Sequence, residues 1–396
     1  MEKRYGLALG GGGGKGGYHI GVWKALRELD IKIHVVSGTS VGALNAAFVA
    51  QNDFDQALEV WNNISTEKVI EIDDNFFKEI LNLNLKNIGD INIGLYKENL
   101  EKLFTNKGLD TSPLMELIHN YIDEDKIRKS NIGYGLVTVS LTDRKPLELF
   151  IEDIPEGKLI EYMVASSFLP GFKPIELDGK RFIDGGFYDN VPINMLLKKN
   201  VDSVIAVDLK AIGRKKPVKN KNIDIICISP SGDLVKILEF DGEKSKEDLN
   251  MGYLDTLKAF NKYEGFSYFL TSTPEIEDCY KKIMNTSLDD IGLVMDMLKI
   301  EEIHSRRMFI EKGIPKIAKL FNCSNEDDYD NIFIKIIEYL AEYVGIYRLQ
   351  PYSYKELVNE IENKIENVEK KEVFLKQRTI LKYDVAKLIF KIYNKE

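Results

Sequence analysis

Seven of the eight residues from Gly10 to Gly17 are glycine, Lys15 being the exception. The run sits between an apolar stretch, Tyr5 to Leu9, that reads as a buried strand, and a segment in which Tyr18, Val22, Ala25, Leu26 and Leu29 recur at helical spacing. Ordering so much glycine costs roughly 0.5–1 kcal/mol per residue, so a strand, a glycine loop and a helix in this order need a physical reason. Backbone amides at a helix N-terminus, with no side chains in the way, can approach an anion closely. That anion is either a bound phosphate or the oxyanion formed when a carbonyl is attacked. A plain flexible turn without a ligand is the third reading.

The phosphate readings meet their own motifs poorly. A Walker loop needs glycine where Leu9 stands and serine or threonine where Gly16 stands. The dinucleotide fingerprint fits any polyglycine, but the end of the second strand offers Val36 and Ser37 where an acidic residue is wanted.

A second feature follows at once. Ile33 to Val36 reads as another buried strand, and Gly38-Thr39-Ser40-Val41-Gly42 has the Gly-x-Ser-x-Gly form of a nucleophile elbow before the small-residue helix Ala43 to Phe48. The plainer reading is a helix N-cap serine. Serine is a weak nucleophile and needs a base. Of the four histidines, His19, His34, His119 and His304, only His304 follows both Ser40 and Asp184, on a charged, helical-looking stretch. Ile183-Asp184-Gly185-Gly186 ends a short strand and offers a carboxylate that could take the Ser40 proton directly. With an ordinary aspartate pKa near ~3.9 it would be a poor base, so burial would have to raise it. Alone, Asp-Gly is a common turn.

These residues carry a resemblance. Gly11-Gly12-Gly13-Gly14-Lys15-Gly16, Gly38-Thr39-Ser40-Val41-Gly42 and Asp184-Gly185-Gly186, with Ala165-Ser166-Ser167-Phe168-Leu169-Pro170-Gly171, Asn190-Val191-Pro192 and Gly252 to Leu257, resemble the patatin-like phospholipases over roughly residues 5 to 275. The resemblance implies a three-layer α/β/α sandwich and a serine lipid acyl hydrolase that uses a Ser–Asp dyad, without catalytic histidine, metal or cofactor. Ser40 would be the nucleophile, Asp184 its partner, and Gly11, Gly12 and Gly13 the oxyanion loop. Gly16, Gly38, Gly42, Gly185 and Gly186 would support these motifs. Lys15 stands where arginine is usual, which keeps the charge but loses the planar fork. Asp189 stands where asparagine is common.

Later strands are expected at Arg181 to Ile183, Ser203 to Asp208 and Ile223 to Ser229, and a hairpin joins Ile132–Leu141 to Leu147–Ile151. Residues 51 to 128 read as mostly helical. From about residue 276 amphipathic helices take over, so the expected division is a catalytic domain at 1–275 and a helical C-terminal region at 276–396. Its marks are Phe333, Ile337, Leu340 and Val344, then Ser353-x-x-Glu356 before Leu357, Ile361, Ile365 and Val368.

With 396 residues, 44% of them hydrophobic and 30% charged, the chain can bury a substantial core. A net charge of −9 disfavours nucleic acid as a general partner. Cys227, Cys279 and Cys323 form no metal or disulfide pattern, and no apolar run suits a signal or a membrane span. A cytoplasmic protein whose membrane contact is peripheral is expected. Arg214-Lys215-Lys216-Pro217-Val218-Lys219-Asn220-Lys221 is a basic stretch, read first as a solvated loop and more sharply as a contact for anionic headgroups. The competing functions are a catalytically silent lipid- or partner-binding module on the same fold, and a nucleotide-binding protein.

Overall fold

A computed structural model describes residues 3–70, 110–168, 172, 176–324, 327–366 and 377–394. Half of the stretch expected to be helical within 51–128, namely 71–109, lies outside the described residues, as do Leu169, Pro170, Gly171 and Val368. Contacts divide the chain into two compact units, Met1–Ala259 and Phe260–Glu396.

The first unit is built on β1 (Tyr5–Leu9), β2 (Ile33–Thr39), β3 (Gly133–Ser140), β4 (Lys145–Phe150), β5 (Glu176–Leu177), β6 (Lys180–Asp184), β7 (Ser203–Val207) and β8 (Asp224–Ile228). They form one eight-stranded sheet in the order β5-β6-β3-β2-β1-β7-β8, with β4 on β3. The strands β3, β2, β1, β7 and β8 run parallel to one another. Parallel strands covered on both faces should read as unbroken apolar runs, and Leu7, Ala8, Leu9, Val36, Val204 and Ile205 are all buried. Ala8, Val35, Val137, Phe150, Val204 and Ala206 share one face with Met195 and Leu196 of the short helix Ile193–Leu196. On the opposite face the Tyr134 hydroxyl donates to the Ala43 carbonyl. A layer of helices thus lies on each side of the sheet, the α/β/α sandwich.

The described helices used below are α1 (Gly17–Glu28), α2 (Val41–Ala50), α3 (Phe54–Asn62), α4 (Ser112–Tyr121), α5 (Leu159–Ser166) and α6 (Gly242–Ala259). Two glycines set how closely α1 and α6 approach. A Cβ on Gly21 would lie 1.8 Å from the Leu249 carbonyl oxygen, and one on Gly252 would lie 2.2 Å from that of Tyr18. Both clashes are with backbone, which cannot rotate away. Tyr18 then donates to Asp255 Oδ2 at 2.9 Å across the contact. Gly21→Ala is expected to cost about 3 kcal/mol, the upper range of overpacking, read as a lowered midpoint in a denaturant melt.

Register explains how distant segments meet. β2 runs alongside β3 until Thr39 faces Val137, while β6 runs the other way from Phe182 opposite Ser140 to Asp184 opposite Thr138. β4 occupies one edge of β3 from Gly135 to Ser140. β2 and β6 must therefore share the other edge, end to end, and the chain leaves them at Ser40 and Gly185.

The second unit is mostly helical, including Ile276–Asn285, Leu288–Met297, Tyr329–Tyr343, Tyr354–Ile365 and Gln377–Tyr393. A two-stranded parallel sheet joins Phe269–Ser272 to Pro351–Ser353. Phe333, Ile337, Leu340, Leu357, Ile361 and Ile365 lie in its core as their spacing predicts. The capping box forms, with Ser353 Oγ accepting from the Glu356 amide and Glu356 Oε2 from the Ser353 amide. Glu338 is buried on the same helix as Phe333, where its carboxylate accepts the amides of Phe266, Ser267 and Tyr268.

Candidate active site

Ser40 sits between β2 and α2 with φ 56° and ψ −129°, a left-handed conformation that few residues with a side chain adopt. The flanking glycines permit it. A Cβ at Gly38 would stand 2.1 Å from the Gly42 carbonyl oxygen, and one at Gly42 would stand 2.1 Å from that of Leu9. The Ser40 hydroxyl does not cap the helix it precedes, so the N-cap reading falls. Its backbone N–H donates to Ser166 Oγ at 3.0 Å, and Ser166 donates onward to the Val137 carbonyl at 2.7 Å. Ser166, at the end of α5, thereby ties the strained turn to β3. Ser166→Ala removes the acceptor and leaves a buried amide unpaired, at about 1–3 kcal/mol. That cost should appear as a lowered midpoint in a denaturant melt of the variant.

Asp184 ends β6 and is almost completely buried. Burial pushes its carboxyl up to about 6, while the amide of Gly186, 2.7 Å from Oδ1, and the Ser40 side chain act as hydrogen-bond partners that draw it down. The hydroxyl and the carboxyl are thus brought together. Gly185 lets this happen, because a Cβ there would lie 2.1 Å from the Val137 carbonyl oxygen.

No histidine is hydrogen-bonded to Ser40 or Asp184 among the described residues. His304 pairs with Asp296 at 3.2 Å within the second unit. His19 is fully buried beside Asn45 Nδ2, and burial holds its pKa down at about 3.

The three glycines expected to form an oxyanion loop are not equivalent. The Gly11 amide already donates to the Asn190 carbonyl at 3.1 Å; what Gly11 offers is space, since a Cβ there would stand 3.3 Å from that of Ser40. Gly10 and Gly14 amides are also engaged, by Val207 and Ile237 carbonyls. The Gly12 and Gly13 amides have no acceptor among the described residues. Gly13 takes φ +55°, and any side chain on it would strike the Ile237 carbonyl, 2.1 Å from a Cβ. Lys15 donates to the Leu209 carbonyl at 3.3 Å, and burial lowers its pKa against the opposing pull of Asp248. Gly16 accepts at its carbonyl from Asn45 Nδ2, whose Oδ1 in turn accepts from Trp61 Nε1.

Ser40 and Gly13 open onto an apolar cavity walled by Leu44, Phe48, Trp61, Leu114, Phe172 and Leu238, among others. Leu44 and Phe48 come from α2, Trp61 from α3, Leu114 from α4 and Leu238 from the irregular segment before α6, while Phe172 follows α5. None of these residues carries a local motif, so sequence reasoning missed them all. Only the assembled fold reveals them.

The profile of the family described as "Patatin-like phospholipase" matches residues 7–197. A patatin-like phospholipase domain-containing protein of Caenorhabditis elegans is 28% identical over 215 residues, 52% of this chain and 14% of that protein. The lysophospholipase NTE1 of Coccidioides immitis is 27% identical over 217 residues, 54% of this chain and 12% of that one. The match thus spans about one-seventh or less of these relatives' own length. The crystal structure of VipD from Legionella pneumophila aligns with a TM-score of 0.41 at 12% identity, covering 100% of this chain and 93% of that one. Residues 7–197, just under half of the chain, thus match the patatin-like phospholipase domain.

Proposed function

We propose that the first unit is a serine acyl hydrolase that cleaves acyl esters of phospholipids or related lipids through a Ser40–Asp184 dyad. The observation that carries this reading is a buried carboxyl, raised to about 6 and partnered by the side chain of Ser40, which itself lines an apolar cavity. The names of the relatives, phospholipases and a lysophospholipase, support the lipid as substrate.

In the first half-reaction Ser40 Oγ bonds to the ester carbonyl carbon as its proton passes to Asp184. The carbonyl oxygen takes the negative charge beside the free amides of Gly12 and Gly13. Collapse of this intermediate breaks the ester C–O bond, and the leaving alkoxide takes the proton from Asp184. Water then attacks the acyl-serine while giving its proton to Asp184, which returns it to Ser40 as the fatty acid leaves. A carboxyl near pH 6 serves both directions, because it is ionised at neutral pH yet far more basic than an exposed aspartate. No helix among the described residues is long and apolar enough to cross a membrane.

A serine-directed fluorophosphonate is expected to label the wild type and not Ser40→Ala. A chain that binds lipid yet takes no label and cleaves no lipid in a panel would be the silent module instead. The rate has a signature too. Since the base must be ionised, kcat/KM falls as pH drops through about 6. Burial also raises Asp189 to about 6, where the amide of Lys216 opposes it. The acid limb should survive in Asp189→Asn; its disappearance there would move the titration away from Asp184.

A further inference from the structure

From Lys210 to Lys221 the chain carries Lys210, Arg214, Lys215, Lys216, Lys219 and Lys221 with no acidic residue between them, in a protein with 63 acidic against 54 basic side chains. A solvated connection would also be basic and exposed, but its backbone would be loose. This one is pinned. The Arg214 amide donates to the Gly186 carbonyl at 2.8 Å and the Asn190 amide to the Arg214 carbonyl at 2.6 Å. The Lys216 amide donates to Asp189 Oδ1, the Lys219 amide to Asn194 Oδ1, and Asn194 Nδ2 to the Pro217 carbonyl. Leu209 and Ala211 are buried beneath it.

The loop is therefore fastened to the segment that follows Asp184, and through the Asn190 carbonyl to the amide of Gly11. Its cations divide into two sets. Lys210 donates to the Pro230 carbonyl at 2.7 Å, Lys215 pairs with Asp208, and Lys216 stands 3.4 Å over the Tyr188 ring. Arg214, Lys219 and Lys221 are exposed and have no carboxylate partner among the described residues. Between the first cations lies Ile212, an apolar side chain left 41% exposed. Fixed cations around a projecting apolar residue fit a surface that is anionic outside and oily just below. A nucleic acid would offer nothing to Ile212.

We propose that residues 209–221 dock the first unit on lipid bilayers containing anionic lipid, with Arg214, Lys219 and Lys221 facing the headgroup phosphates and Ile212 entering the interface. This deepens the lipid-hydrolase reading and rests on it for the source of substrate, but the binding itself requires no turnover.

The test uses the full chain carrying Ser40→Ala, so that hydrolysis plays no part. It is sedimented with vesicles of phosphatidylcholine alone or of phosphatidylcholine with phosphatidylglycerol. Binding is expected only to the second kind and to weaken as salt rises. Replacing Arg214, Lys219 and Lys221 together by glutamine should weaken partitioning by about a hundredfold, from the usual contribution of each cation near such a surface. Ile212→Ser should weaken it by a smaller factor. Removing as many cations elsewhere, by Lys126→Gln, Lys129→Gln and Lys145→Gln, should leave it unchanged, and thermal melts of all variants should match their parent. Equal binding to both vesicles, or an equal loss in the Lys126, Lys129 and Lys145 variant, would overturn the docking loop. The dyad would be untouched by that result, since fluorophosphonate labelling of the wild type reports it separately.

Discussion

Ser40→Ala is expected to lower kcat/KM toward a lipid ester by roughly 10⁴-fold or more, Asp184→Asn to lower it comparably, and the double variant to be no worse than the poorer single one. In the proposed mechanism the two groups act on the same proton. Without the hydroxyl there is nothing for the carboxylate to activate. Without the carboxylate the hydroxyl keeps its proton and is a feeble nucleophile. Asparagine at 184 preserves the acceptor for the Gly186 amide, so the turn after β6 stays formed and the loss reports chemistry rather than collapse. Additive losses would mean two independent roles, and a wild-type rate in Asp184→Asn would remove the aspartate from the mechanism.

The same substitution is expected to make the protein more stable at neutral pH, by about 3 kcal/mol. An aspartate in the unfolded chain titrates near ~3.9, whereas the buried Asp184 does so at about 6. The folded state thus holds the proton more tightly, and the ionised form is the one that folding disfavours. The penalty is absent below the unfolded value, grows as pH rises from about 4 to 6, and is constant above, having gained about 1.4 kcal/mol for each pH unit crossed between the two values. Asparagine carries no such penalty. Denaturant melts of Asp184→Asn and wild type should differ most at pH 7 and converge in acid. A gain that did not shrink with acid, or no gain at all, would mean that the carboxyl is not desolvated as described.

Much of the site was legible because its pieces are local. Gly38 and Gly42 are demanded by backbone contacts within a few residues of Ser40 or with the neighbouring strand, and such demands leave a fixed pattern in the sequence. The strands of the parallel sheet were legible because burial on both faces removes polar residues from them. β4 begins earlier than expected, at Lys145, and takes in Pro146 opposite Val139, which an edge strand tolerates. What could not be read depends on side chains meeting across the fold. The Gly11 amide is spent on Asn190, a residue 179 positions away. Asn45 links Gly16 to Trp61 through an ordinary-looking helix position. Glu338, a carboxylate within an amphipathic pattern, is buried because three amides of Phe266–Tyr268 converge on it. No periodicity signals any of these.

The shared edge of β3 carries one further implication, for how such chains can vary. Because β2 and β6 each take their position from the same strand, the placement of Ser40 relative to Asp184 depends on a handful of main-chain pairings, Thr39 with Val137 and Asp184 with Thr138. The lengths of the excursions before β3 and between β4 and β6 do not enter. Insertions or deletions in those excursions, outside the cavity walls and Ser166, should leave Ser40 and Asp184 in place, so that whole surface segments can be exchanged while the same geometry is kept.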